Sequence, residues 1–186
     1  MAQVKITAGK GRRNRFGDFV RDRKAATAVE FALIAAPFLA ITVALIQTFL
    51  LFFAQSILES VVRQTSRLIM TGQVQTQQMS QTAFQQLVCN QGSILFTCAN
   101  LFVDVQVANN WSSANAGMPT LTYNAQGQVN NNWQFNPGNG GDIVVMRVMY
   151  LWPVFFGPIA FNLVNQPNNT HLIMASAAFQ NEPAAP

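Results

Sequence analysis

Residues 25–54 read AATAVEFALIAAPFLAITVALIQTFLLFFA, and this apolar stretch decides the fold. It holds one acidic residue, Glu30, and no basic residue. A helix of this length, rising about 1.5 Å per residue, exceeds the hydrocarbon core of a bilayer, which is roughly 30 Å thick. We therefore predict a single transmembrane helix over residues 26–54.

Charge is distributed unevenly on the two sides of this stretch. The first 24 residues contain eight of the eleven basic residues and only two acids, Asp18 and Asp22. Such a bias holds the preceding segment in the cytoplasm and sends the following one across the membrane. We predict a basic cytoplasmic leader over residues 1–25 and a periplasmic domain over residues 55–186. A short basic tail beside a membrane favours contact with anionic lipid and not with nucleic acid.

The helix is predicted to continue beyond the membrane and to end at Gly72. Glu59, Arg63 and Arg67 recur every four residues on one face, a spacing that favours ion pairs along a helix. Glycine is common just after a helix end. Ser80 then stands where it can cap a short second helix over residues 81–89.

Strand patterns follow in the last part of the chain. Apolar and polar residues alternate over residues 101–107 and 171–180, with the period of two that half-buried strands show. Residues 142–152, DIVVMRVMYLW, give the strongest strand prediction in the chain, and this strand should stop at Pro153. A hairpin is expected between residues 120–123 and 129–135. The predicted fold is α+β: a long N-terminal helix, a short second helix, and a small antiparallel β-sheet packed on the long helix.

Two cysteines, Cys89 and Cys98, fall in the predicted periplasmic part. Oxidising compartments favour a disulfide, and a structural zinc site would need four ligands. With His171 as the chain's one histidine, the sequence favours a disulfide.

The sequence shows no catalytic constellation. His171 has no serine or acid at a spacing that suggests a triad, and no pair of carboxylates suggests acid–base chemistry. We therefore expect no enzyme activity, no metal and no cofactor. Trp111, Trp133 and Trp152 leave two interpretations open: a platform for sugars, or core and subunit contacts.

Residues 19–32, FVRDRKAATAVEFA, followed by Pro37, resemble the start of TadE-like proteins, the minor pilins or pseudopilins of tight-adherence (Tad/Flp, type IVc) pili. The resemblance extends to about residue 183 through the cysteine pair, the strand DIVVMRVMYLW and the closing residues FQNEP. It implies a part in assembling or initiating a Tad/Flp pilus at the bacterial inner membrane. The implied partners are a TadF-like minor pilin, the Flp major pilin, the prepilin peptidase and the inner-membrane assembly platform.

The resemblance also implies roles for individual residues. Prepilin peptidase would cut between Ala25 and Ala26, and Glu30 would then pair with the new α-amino group of Ala26 and set the subunit register. Pro37 would be the point at which the helix melts locally during extraction. Ala25 stands where the family typically has glycine, which leaves open cleavage, slow cleavage or a permanently uncut subunit.

One alternative belongs to a different class of function. The chain would then be a membrane-anchored periplasmic binding or sensory module outside any filament. In that case Glu30 would be a headgroup-level residue beside Arg23 or Lys24.

Overall fold

The computed structural model describes residues 23–154 and 162–183, with the side chains of the first helix described from Thr27 onward. The predictions for residues 1–22 lie outside the described residues, and residues 155–161 are not described either. The chain divides into two compact units between Val43 and Ala44.

The first helix, α1, spans Arg23–Met70 and is continuous through Pro37. Proline is tolerated there at the loss of one backbone hydrogen bond, because it has no N–H to donate to the carbonyl of Leu33. Helix α1 ends two residues before Gly72, whose φ of +75° is in the left-handed region that glycine adopts without strain. The predicted helix end is therefore confirmed.

The last part of α1 carries the apolar face of the second compact unit. Ala54, Leu58, Val62 and Ile69 are buried there at helical spacing. The three charged residues of the opposite face are exposed. Among the described residues Glu59 forms no ion pair, so the expected pairing with Arg63 is wrong. Its Oε1 instead accepts a hydrogen bond of 3.0 Å from Gln55 Nε2.

Two short helices follow, α2 (Gln73–Thr76) and α3 (Gln81–Gln91). Ser80 caps α3 as predicted, its Oγ accepting a hydrogen bond of 3.2 Å from the Ala83 backbone N–H. Helix α3 buries Phe84 and Val88. Ala83, in the first turn, is exposed.

The sheet has three antiparallel strands in the order β1 (Leu101–Ala108), β2 (Ile143–Pro153) and β3 (Thr170–Gln180). Each predicted strand is present to within one residue or so at its ends. The predicted hairpin is reduced to an isolated bridge between Tyr123 and Val129. The α+β prediction is confirmed.

One face of the sheet forms the core with α1 and α3. Its central side chains are Val105, Met146 and Ala175, all buried. Thr65 of α1 lies over β2, with its Oγ1 3.9 Å from Met146 Sδ. Gln55 Nε2 donates to the Met174 carbonyl of β3 at 2.9 Å. The sheet thus packs on the long helix, as the sequence predicts.

Candidate functional site

The N-terminal part of α1 presents a large apolar surface. Within the described residues one helix, Thr27–Met70, is long and apolar enough to cross a membrane. Large hydrophobic side chains are exposed along it from Val29 to Phe53. They lie around the helix and not on one stripe: Phe31, Leu33, Ile34, Phe38, Leu39, Ile41, Leu45, Ile46, Phe49 and Phe52 are among them. A helix that is apolar on all sides is stable in lipid or among other helices.

Glu30 is exposed within the first turns of this surface. Its carboxylate forms no ion pair with any side chain described from Thr27 onward. The predicted scissile bond lies in helical backbone, since α1 begins at Arg23, ahead of Ala25 and Ala26. The cleavage site, the pairing of Glu30 and the melting of the helix at Pro37 stay predictions.

Gln47 is a polar residue of the apolar stretch that the sequence analysis passed over. Its side chain is 8% exposed, and both amide atoms lack a hydrogen-bond partner among the described residues. An unsatisfied buried amide costs about 1–3 kcal/mol, which makes this position unusual in the helix.

The predicted disulfide joins Cys89 in α3 to Cys98 in the turn before β1, with a Cα–Cα distance of 5.5 Å. Inside the loop that it closes, Phe96 packs on Tyr150 with ring centroids 4.8 Å apart. The Thr97 backbone N–H faces Tyr150 Oη at 3.4 Å. The disulfide therefore closes the loop between α3 and β1, and Phe96 and Thr97 of that loop contact the middle strand of the sheet.

On the other face of the sheet, Asp104 and Arg147 form a buried ion pair that sequence reasoning missed. Asp104 is 1% exposed, and the two residues are direct cross-strand partners. Arg147 Nε donates to Asp104 Oδ2 at 3.0 Å, and Oδ1 accepts the Gln134 backbone N–H at 2.9 Å. In the strands of the structure each is the one charged residue. The predicted strand over residues 142–152 also contained Asp142, so the sequence did not single out this pair.

The remaining singled-out residues are separated by the fold. Trp133 packs on Phe102, with centroids 5.9 Å apart, whereas Trp152 packs on Tyr150 of the core face. Trp111 is exposed in a separate turn. The three tryptophans therefore do not form one platform. His171 lies near the start of β3, where its Nδ1 contacts the Leu163 carbonyl.

A comparison with protein families gives one match. Residues 25–67 match the family model described as TadE-like protein. The match covers the apolar stretch and most of the rest of α1, a shorter range than the resemblance seen in the sequence. No curated protein and no solved structure matches the chain.

Proposed function

Because residues 25–67 of this chain are TadE-like and the family match supports a protein associated with the Tad pilus, we propose that it is a minor pilin or pseudopilin. In this role it takes part in assembling or initiating a Tad/Flp pilus, and it performs no enzymatic reaction. The proposal rests mainly on one observation: the residues that match the family, 25–67, include the exposed apolar part of α1, from Val29 to Phe53.

The apolar surface supports two successive environments for the same helix. Before assembly, the side chains from Val29 to Phe53 face lipid. After assembly, they pack against the corresponding helices of other pilins. Both environments are apolar, so moving from one to the other leaves few polar groups to be dehydrated.

An apolar surface alone does not fix the axial position of one helix against another, and Glu30 supplies a contact that does. A carboxylate at the mouth of the span is costly in an apolar environment without a partner, and no side chain described from Thr27 onward forms an ion pair with it. We assign that partner to the α-amino group of Ala26 after cleavage, on a neighbouring subunit or on the same one. A charge pair buried between helices favours one axial register, because every shifted register leaves both charges unpaired.

The first test determines the N-terminus. Intact mass and N-terminal sequencing of the membrane-extracted protein, with and without prepilin peptidase in the cell, should give Ala26 only when the peptidase is present. An uncut chain under both conditions would contradict the assigned partner of Glu30 and favour the anchored binding module.

The second test compares two acid-to-amide variants. Glu30→Gln should strongly reduce piliation while leaving the amount of membrane-inserted protein unchanged. Glu59→Gln is the matched control, because Glu59 is an exposed acid on the same helix beyond the predicted span. Normal piliation by the Glu30 variant would refute its role in register.

A further inference from the structure

A cavity of about 460 Å³ lies in the second compact unit, on the face of the sheet away from α1. Its floor includes Phe102 of β1, Leu151 of β2 and Thr170 of β3. Its walls come from the segment 123–129 and from the turn that precedes β3. The volume is within the range of about 300–1,000 Å³ that small-molecule sites occupy.

Hydrogen bonds hold the two walls together. Tyr123 Oη donates to Gln166 Oε1 at 2.7 Å, and Asn168 Nδ2 donates to the Gly127 carbonyl at 2.9 Å. Asn168 has a φ of +61°, a left-handed conformation that persists in a non-glycine residue when its surroundings hold it. The cavity is therefore preformed and does not depend on one mobile loop.

The lining has a definite chemistry. Four side-chain amides contribute to it, from Asn100, Gln126, Gln128 and Asn168, and no charged residue does among the described residues that line it. The amides of Asn100 and Gln126 have no hydrogen-bond partner within the described part of the chain and are exposed. Each amide both donates and accepts, which matches a hydroxyl group.

We propose that this cavity is a binding site for a neutral carbohydrate. The amides hydrogen-bond its hydroxyl groups, and the apolar floor at Phe102 and Leu151 contacts the C–H faces of its rings. A charged ligand would lose hydration without gaining a counter-charge. A purely apolar ligand would leave the amides unpaired. The site stands independently of the pilus role proposed above, since a pilin and an anchored module are both able to carry it.

The test uses saturation-transfer difference NMR, which detects weak binding, on the full-length chain. The detergent is lauryldimethylamine oxide, because a maltoside headgroup would compete for the site. The probes are maltotriose and N,N′,N″-triacetylchitotriose as neutral sugars and trigalacturonate as an anionic one. At least one neutral trisaccharide should show saturation transfer, and trigalacturonate should show none.

Three variants locate the binding. Asn100→Ala combined with Gln126→Ala should weaken it about tenfold or more through the loss of two amides. Ala99→Trp, a substitution in the lining that fills the cavity, should abolish binding. Gln86→Ala is the matched control, because Gln86 is an exposed glutamine of α3 outside the cavity, and it should bind normally. Absence of binding to both neutral sugars, equal binding of trigalacturonate, or unchanged binding by both cavity variants would overturn the assignment.

Discussion

At the scale of single residues, the buried pair Asp104–Arg147 shows how two charged side chains are accommodated between β1 and β2, on the face of the sheet away from α1. Two charges leave water when β1 and β2 pair, and their attraction offsets that cost only because further hydrogen bonds satisfy the carboxylate. Asp104 has them, from the backbone N–H of Gln134 and from Gln106 Nε2 at 3.0–3.1 Å. The pair therefore also fixes segment 134–136, which lies along the outer edge of β1 through hydrogen bonds to Val105.

Replacing Arg147 by methionine should destabilise the folded domain strongly. The substitution leaves Asp104 buried without its cation, which costs about 3–5 kcal/mol. Thermal unfolding followed by circular dichroism measures the loss. Arg63→Met is the control, because Arg63 is exposed and forms no ion pair with the described residues. Equal melting temperatures for the two variants would show that the pair contributes nothing.

Burial raises the pKa of the Tyr123 hydroxyl above its ordinary value of about 10. A raised pKa in the folded state means that the protonated phenol is favoured there. The resulting stability is present below pH ~10 and is lost as the pH rises through the folded-state pKa. The phenol's hydrogen bond to Gln166 is lost with its proton.

Ultraviolet titration of the tyrosines tests this pKa. The chain has two tyrosines, so the Tyr150→Phe variant reports Tyr123 alone. Its ionisation midpoint should be higher in the folded chain than in the chain unfolded by urea. Identical midpoints in the folded and unfolded chains would contradict the claim that burial raises the pKa of Tyr123.

At the scale of elements, α1 combines two kinds of helix in one. Its first part is exposed and apolar on all sides, and its last part is amphipathic and buries one face. Pro37 lies within the first kind, where the missing backbone bond is not compensated by core packing.

Pro37→Ala should impair pilus assembly without impairing membrane insertion, because the restored hydrogen bond to Leu33 opposes local unwinding of the helix. Counting pili by electron microscopy and quantifying inserted protein by immunoblot separate the two effects. Ile41→Leu, a volume-conserving change at an exposed apolar position of the same helix, is the control. Normal piliation would discard the melting hypothesis.

The disulfide acts on α3 and on the loop that leads into β1. Cysteines separated by eight residues close a short loop, and such a closure stabilises the folded state by about 2–3 kcal/mol through the entropy of the unfolded chain. The double variant Cys89→Ser/Cys98→Ser should lose that amount in urea unfolding. The wild-type protein under reducing conditions should behave in the same way. An unchanged midpoint in both would exclude a stabilising role.

At the scale of the whole molecule, the distribution of charge predicts one orientation in the membrane. Eight basic residues precede the apolar stretch, and three follow it, Arg63, Arg67 and Arg147. Positive charge close to a span is retained in the cytoplasm. We therefore expect residues 55–186 to lie in the periplasm.

Replacing the basic residues of positions 10–24 by glutamine should disturb this orientation. Protease digestion of spheroplasts carrying a C-terminal epitope tag measures it, because a periplasmic tag is digested and a cytoplasmic one is protected. The control replaces Arg63 and Arg67, which lie beyond the span, and should leave the tag accessible. A tag protected in the unmodified protein would contradict the predicted topology.

Local patterns were sufficient for α1, α3 and the three strands, since each rests on neighbouring residues. The period of two over residues 171–180, the cap at Ser80 and the glycine at position 72 specify backbone conformation through contacts within a few residues. The same locality explains the failures. The expected pairing assumed that Arg63, four residues after Glu59, would contact its carboxylate. Gln55, four residues before Glu59, donates a hydrogen bond to that carboxylate instead.

The sequence by itself determined the apolar helix, the order of the elements, the disulfide and the α+β class, because hydrophobic burial and backbone geometry act over short spans of chain. Only the tertiary structure decided which distant residues meet. Asp104 and Arg147 are brought together by strand register, and the cavity is built from β1, segment 123–129 and the turn before β3. Such contacts depend on how whole elements pack, and no periodicity within one element specifies the residues that will face it from another.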